Sequence, residues 1–262
     1  MSDYLLWLPD VIAAAGVPVV AYDGWEYRAR SSGGFVDGKP WAVFWHHTAS
    51  TTDPDNDAAY MCYSADARPI ANLLMPRDGT CWVLAAGATN TNGTGGPWET
   101  SSGRIDADCA NSSVVGMEIA NGGTGDPYPA RQVDACFAVS LAITAHLGIE
   151  PGDIATHTRW SPGRKIDPAT AAAVEGGWRP GAENASGSWR LEDIVDELYR
   201  RHFATGDETV TDDDIERIAR RAAELVWTYE IDSTTGDGTG DREPARFLLD
   251  RTYNTVQRLA GD

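Results

Sequence analysis

The sequence predicts an α/β domain, a central mixed β-sheet flanked by helices, followed by a small C-terminal helical appendage. Two observations carry this. Short apolar runs rich in β-branched and aromatic residues alternate with amphipathic helical patterns up to about residue 205. Beyond that point the strand patterns stop and two helical patterns remain, joined by a Gly/Thr/Asp-rich connector. The 262 residues, 42% of them hydrophobic and ten of them Trp, suffice for one substantial globular domain plus a minor unit. The expected division is an N-terminal helical segment over 1–19, a main domain over 20–205 and a helical hairpin over 206–262.

Residues 1–16 read as a short helix ending near Gly16. The start, MSDYLLWLPDVIAAAGVPVV, has an acidic residue where a secretory signal needs positive charge, and Pro9 and Asp10 break its apolar stretch. It is therefore expected to be mature structure rather than a targeting segment. GKPWAVFWHH is a strand entered through Gly38 and Pro40. DPDNDAAYMCYSADA (53–67) suits a helix with Asp or Asn available as its cap. PIANLLMPRDGTCWVLA gives two strands turning at Arg77-Asp78-Gly79. ATNTNGTGGPWETSSG (88–103) reads as loop throughout. SSVVGMEIAN is a short apolar strand with one acid, and ARQVDACFAVSLAITAHLG a long helix stopped by Gly148. DIATH is strand-like, TRWSPGRKIDP a loop, and LEDIVDELYRRHF another helix.

Charge excludes some partners. A net charge of −18 argues against nucleic acid, whose phosphates need a basic surface, and against adsorption to anionic membranes or walls. No apolar run approaches the roughly 18–20 residues of a membrane span. Cys62, Cys81, Cys109 and Cys136 are widely spaced with no C-x-x-C pair, which argues against a thiolate metal site. A Cys62–Cys81 bridge is disfavoured by the lack of a secretion signal. Cys136 falls within the amphipathic pattern of its helix and is expected to be a buried thiol.

Chemistry concentrates in two stretches. HTRWSPGRKIDP places His157, Lys165 and Asp167 within eleven residues of a Pro- and Gly-bearing loop. WHHTAS places two of the five histidines at the end of a strand. A histidine nitrogen and a carboxylate oxygen are both zinc ligands, and one further histidine would complete a three-ligand site with an open fourth position. Neighbouring strand residues point to opposite faces, so only one of His46 and His47 can serve. Both faces of that strand are apolar, and alternation does not choose between them. Lys165, two residues before Asp167, is placed to stabilise an oxyanion. Glu118 is the lone carboxylate of an apolar strand, where burial would raise its pKa into the range of a general base or acid. Singly, each has an ordinary structural reading; jointly they form a metallohydrolase set.

In their order and approximate separations, WHHTAS, VVGMEIAN and HTRWSPGRKIDP resemble the zinc-dependent N-acetylmuramoyl-L-alanine amidases, the superfamily that includes the peptidoglycan recognition proteins. The resemblance covers about residues 20–180 and implies that superfamily's fold. ANLLMPRDG followed by AAGATNTNG further resembles endolysins of phages that infect actinobacteria. By this resemblance His46, the first histidine of HHTA, is a ligand of Zn2+ with His157 and Asp167. Lys165 matches the oxyanion-stabilising residue and Glu118 the carboxylate that activates water. Some relatives carry a catalytic Tyr where this chain has Ala71-Asn72, and a loop His where it has Asn. Asn72 and Asn92 are then candidate substrate contacts, and more of the chemistry falls to Glu118. The implied activity is hydrolysis of the bond between N-acetylmuramic acid and L-alanine in peptidoglycan. The competing readings are a non-catalytic module that grips muropeptide and a metallopeptidase cutting within the stem peptide. A phage lysin without a signal peptide would stay in the host cytoplasm until released to the wall.

The segment 206–262 carries 14 acidic against 7 basic residues, which disfavours an electrostatic wall anchor. Packing on the main domain, wall binding and self-association through the C-terminal helices are its candidate roles.

Overall fold

The computed structural model describes residues 4–64 and 67–204. The expected hairpin over 206–262 lies outside the described residues. Residues up to Ile194 belong to one compact unit, and the chain from Val195 onward belongs to a second.

The first unit is a mixed α/β fold built on a six-stranded sheet. In chain order its strands are β1 (Val19–Ala21), β2 (Ala42–His47), β3 (Leu73–Met75), β4 (Cys81–Val83), β7 (Val114–Ile119) and β8 (Ile154–Thr156), arranged β1-β4-β3-β7-β2-β8. The helices are α1 (Leu8–Ala14), α2 (Pro54–Tyr63), α3 (Ala130–Leu147), the short α4 (His157–Trp160) and α5 (Leu191–Ala204), the last of which runs on into the second unit. Strands β3, β7, β2 and β8 run parallel, while β4 is antiparallel to β3 through the turn at Arg77-Asp78-Gly79. Parallel strands buried on both faces read as continuous apolar runs. Accordingly, every residue of β7 is buried, Glu118 included.

Local signals explain the boundaries. Asp53 caps α2, its side chain accepting from the Asp55 amide at 2.9 Å, with Pro54 in the first turn. Gly148 ends α3 at φ +65°, a left-handed turn that favours glycine. One expectation fails. The stretch 88–103 is not all loop, because Trp98–Thr100 forms β5 and pairs antiparallel with β6 (Gly103–Ile105). Trp98 is buried edge-on against Phe44 of β2, so tertiary packing overrides a Gly- and Thr-rich local sequence. The expected loop after β8 also begins with a helical turn, α4, capped by Thr156.

The two faces of β2 are covered differently, and this orients the site. Trp45 packs against Phe137 of α3 and donates its indole N–H to Ser140 Oγ at 3.0 Å. Phe44, on the opposite face, meets Trp98 and Trp160. His46 shares the Phe44 face and His47 the Trp45 face. All four cysteines are free thiols, and Cys136 is buried as expected. No helix among the described residues is long and apolar enough to cross a membrane.

Candidate metal centre and active site

Strand register assembles the site. His46 lies level with Glu118 on β7, and Trp45 lies level with Thr156 on β8, so His157 follows at the height of His46. Three parallel strand ends therefore deliver His46, Glu118 and His157 to one edge of the sheet. Asp167 arrives from the loop after α4, which folds back so that the Thr158 amide donates to the Asp167 carbonyl at 3.0 Å.

Among the described residues, His46, His157 and Asp167 form a buried group able to hold a metal ion. The two Nδ1 atoms lie 2.8 Å apart, and Asp167 Oδ2 is 2.9 Å from that of His157 and 3.2 Å from that of His46. The outer nitrogens turn away: His46 Nε2 is 3.1 Å from Asn92 Oδ1, and His157 Nε2 is 2.9 Å from the Asn92 carbonyl. Oxygen acceptors at both Nε2 atoms leave the two Nδ1 lone pairs facing each other and a carboxylate. A cation reconciles three such acceptors, and two imidazole nitrogens with one carboxylate oxygen suit a catalytic zinc set. The residues present fit the group.

The electrostatics agree. Burial, and then His46 alongside, push the His157 pKa down to about 4, which keeps its imidazole neutral and able to ligate at neutral pH. Glu118 is buried, and its Oε2 has no hydrogen-bond partner. Burial first, then the charges of Asp167 and Asp57, raise its pKa well above the ordinary value, while Lys165 opposes them. Lys165 is thus near enough for its charge to act on Glu118 and His157. A cleft of about 470 Å³ opens beside Glu118, lined among others by Thr48, Asp57, Tyr60 and Ile70.

His47 faces elsewhere. The Ala169 amide donates to its Nδ1 at 3.1 Å, the Tyr128 hydroxyl lies 3.3 Å away, and burial lowers its pKa.

The two expected substrate contacts, Asn72 and Asn92, are both buried and hydrogen-bonded within the protein. Asn72, just before β3 and beside Gly116 of β7, is fully buried and its side chain is saturated. It donates to the carbonyls of Ala85 and Gly87 at 3.0 and 2.8 Å, and accepts from Thr89 Oγ1 and the Gly116 amide at 3.2 and 3.0 Å. A group with every donor and acceptor used inside the protein has none left for substrate. Asn72→Ala is expected to leave the Gly116 N–H orphaned and to cost about 3 kcal/mol or more in urea unfolding, summed over several lost buried bonds. A stability unchanged within about 0.5 kcal/mol would refute that structural role. Asn92 is also buried, and its side chain meets His46 rather than the cleft. Sequence reasoning missed this. Its one available signal was the position of Asn92 in a polar loop with no apolar periodicity.

A family model described as N-acetylmuramoyl-L-alanine amidase matches residues 37–170, just over half of the chain and inclusive of the whole cluster. No curated protein sequence matches. Solved structures with a similar fold include AmiD from E. coli in complex with anhydro-N-acetylmuramic acid-L-Ala-D-gamma-Glu-L-Lys, at 14% identity over 90% of this chain and 95% of that one, TM-score 0.47. AmpDh3 from Pseudomonas aeruginosa is similar at 18% identity over 82% and 92% of the two chains, TM-score 0.45. A selenomethionine derivative of AmpD is similar at 19% identity over 58% and 87%, TM-score 0.43. With the family model spanning β2, β7, β8 and the loop that carries Asp167, this chain belongs to the N-acetylmuramoyl-L-alanine amidase family.

Proposed function

We propose that the protein is a peptidoglycan hydrolase that cuts the amide bond between N-acetylmuramic acid and L-alanine of the stem peptide, with a zinc ion held by His46, His157 and Asp167. The observation that carries this reading is the convergence of those three ligand atoms beside a buried carboxylate with an unpartnered oxygen. When bound, zinc would polarise the scissile carbonyl and acidify water toward a pKa of about 7. The protein's own residues do the rest. Glu118, whose burial strengthens its affinity for a proton, reacts as the carboxylate: it accepts the proton from the attacking water and passes it to the departing L-alanine nitrogen. Lys165, whose charge is felt at Glu118 and His157, would offset the charge that gathers on the carbonyl oxygen. The cleft past Thr48 and Tyr60 receives the substrate next to Glu118.

Mass spectrometry of peptidoglycan digested by zinc-loaded protein tests the reading. Free stem peptides with intact glycan are expected. Peptides cut internally would instead indicate a metallopeptidase, and an undigested polymer that retains the protein a binding module.

We also propose a lysin role, on the strength of ANLLMPRDG and AAGATNTNG, with the protein held in the host cytoplasm until it reaches the wall. Turbidity loss in actinobacterial wall suspensions, absent with other walls, is the expected result.

A further inference from the structure

We infer that Asn92 is a positioning residue that fixes the tautomers of both metal-binding histidines, using its side chain for one and its backbone for the other. The inference rests on the zinc reading above and extends it to a residue outside the set of three ligands. Asn92 Oδ1 is 3.1 Å from His46 Nε2, and the Asn92 carbonyl is 2.9 Å from His157 Nε2. A carbonyl oxygen only accepts, so each Nε2 carries the proton and each Nδ1 keeps its lone pair turned to Asp167. Arg164 Nη2 also approaches His157 Nε2, but at 3.4 Å, and it donates instead to the carbonyls of Asn92 and Thr94 at 3.2 and 2.5 Å. The shorter 2.9 Å contact sets the His157 tautomer, and Arg164 reinforces the carbonyl that accepts from it.

Asn92 is itself held. Its amide and that of Gly93 donate to Asn111 Oδ1 at 2.8 and 3.3 Å. The preceding Thr91 Oγ1 donates to the Ile70 carbonyl at 2.7 Å. Burial of Asn92 keeps water from competing for His46 Nε2. Partners that lock a ligating imidazole in this way typically account for 10–100-fold in metal affinity.

The split between side chain and backbone gives the test its asymmetry. Asn92→Ala removes the acceptor for His46 and leaves the acceptor for His157. In the metal-free protein, long-range 1H–15N correlations are expected to show His46 shifting from a single Nε2–H tautomer to a mixture, with His157 unchanged. Zinc affinity, measured by competition with a chelator, is expected to fall about 10–100-fold in Asn92→Ala. Asn92→Asp, which retains an acceptor oxygen, is expected to restore both the tautomer and most of the affinity. An alanine variant in which His46 keeps its tautomer, or in which His46 and His157 change together, overturns the inference. If wild-type protein binds no zinc, the zinc reading fails, while the tautomer measurement on metal-free protein still decides the role of Asn92.

Discussion

Replacing His46 with alanine is expected to abolish zinc retention and amide hydrolysis together, whereas His47→Ala keeps both. The two residues are chain neighbours, yet their surroundings give them unlike tasks. His46 Nδ1 sits 2.8 Å from His157 Nδ1 and 3.2 Å from Asp167 Oδ2, so its loss leaves one nitrogen and one carboxylate where three donors converged. The loss in affinity should exceed the 10–100-fold typical of residues that merely orient ligands. His47 supports the chain just beyond Asp167 by accepting the Ala169 N–H. Its removal leaves that amide without a partner and should cost about 1–3 kcal/mol of stability. Zinc affinity should stay within about tenfold of wild type, the low end of the effect of an outlying residue. Isothermal titration with zinc and urea unfolding on both variants separate the effects. Equal zinc loss in the two variants would sink the assignment of His46 alone.

The choice between those histidines marks where sequence reasoning reached its limit. Strand alternation requires that they part, but Ala42, Phe44 and His46 are as apolar a row as Val43, Trp45 and His47. What decides is the position of α3, whose Phe137 and Ser140 cover the Trp45 face, and no local pattern in β2 encodes that. The strands themselves were legible because their apolar runs are bounded by Gly, Pro or charged residues. The level placement of His46, Glu118 and His157 was not, since parallel register is set by pairing between distant segments. The same limit hid the β5–β6 hairpin, which depends on Trp98 finding Phe44, and the roles of the two asparagines. Asn72 and Asn92 stood in segments aligned with functional positions of relatives. The structure instead spends their hydrogen bonds inside the protein, one on Gly116 of β7 and one on His46.

Glu118→Gln is expected to lower kcat by about 10²–10⁴, the usual share of general acid–base catalysis, with zinc affinity and KM nearly unchanged. Glutamine keeps the size and the acceptor oxygen but cannot take up the water's proton. The same substitution has a signature in stability that needs no substrate. Burial, followed by the charges of Asp167 and Asp57, raises the Glu118 pKa in the folded protein, while unfolding returns it to about 4.3. Its contribution to stability is therefore fully present below that unfolded value and is lost as pH rises through the folded one. Glutamine has no such titration. In urea unfolding of the metal-free proteins, the glutamine variant should gain on wild type steadily from pH 5 upward and level off only above the folded pKa. A difference that stays flat with pH would mean that the surroundings do not raise the proton affinity of Glu118, and the proton-transfer role would lose its physical basis. A falling kcat accompanied by an equal loss of zinc would instead make Glu118 a support for the metal site. The two measurements together thus separate a carboxylate that moves a proton from one that holds the site in shape.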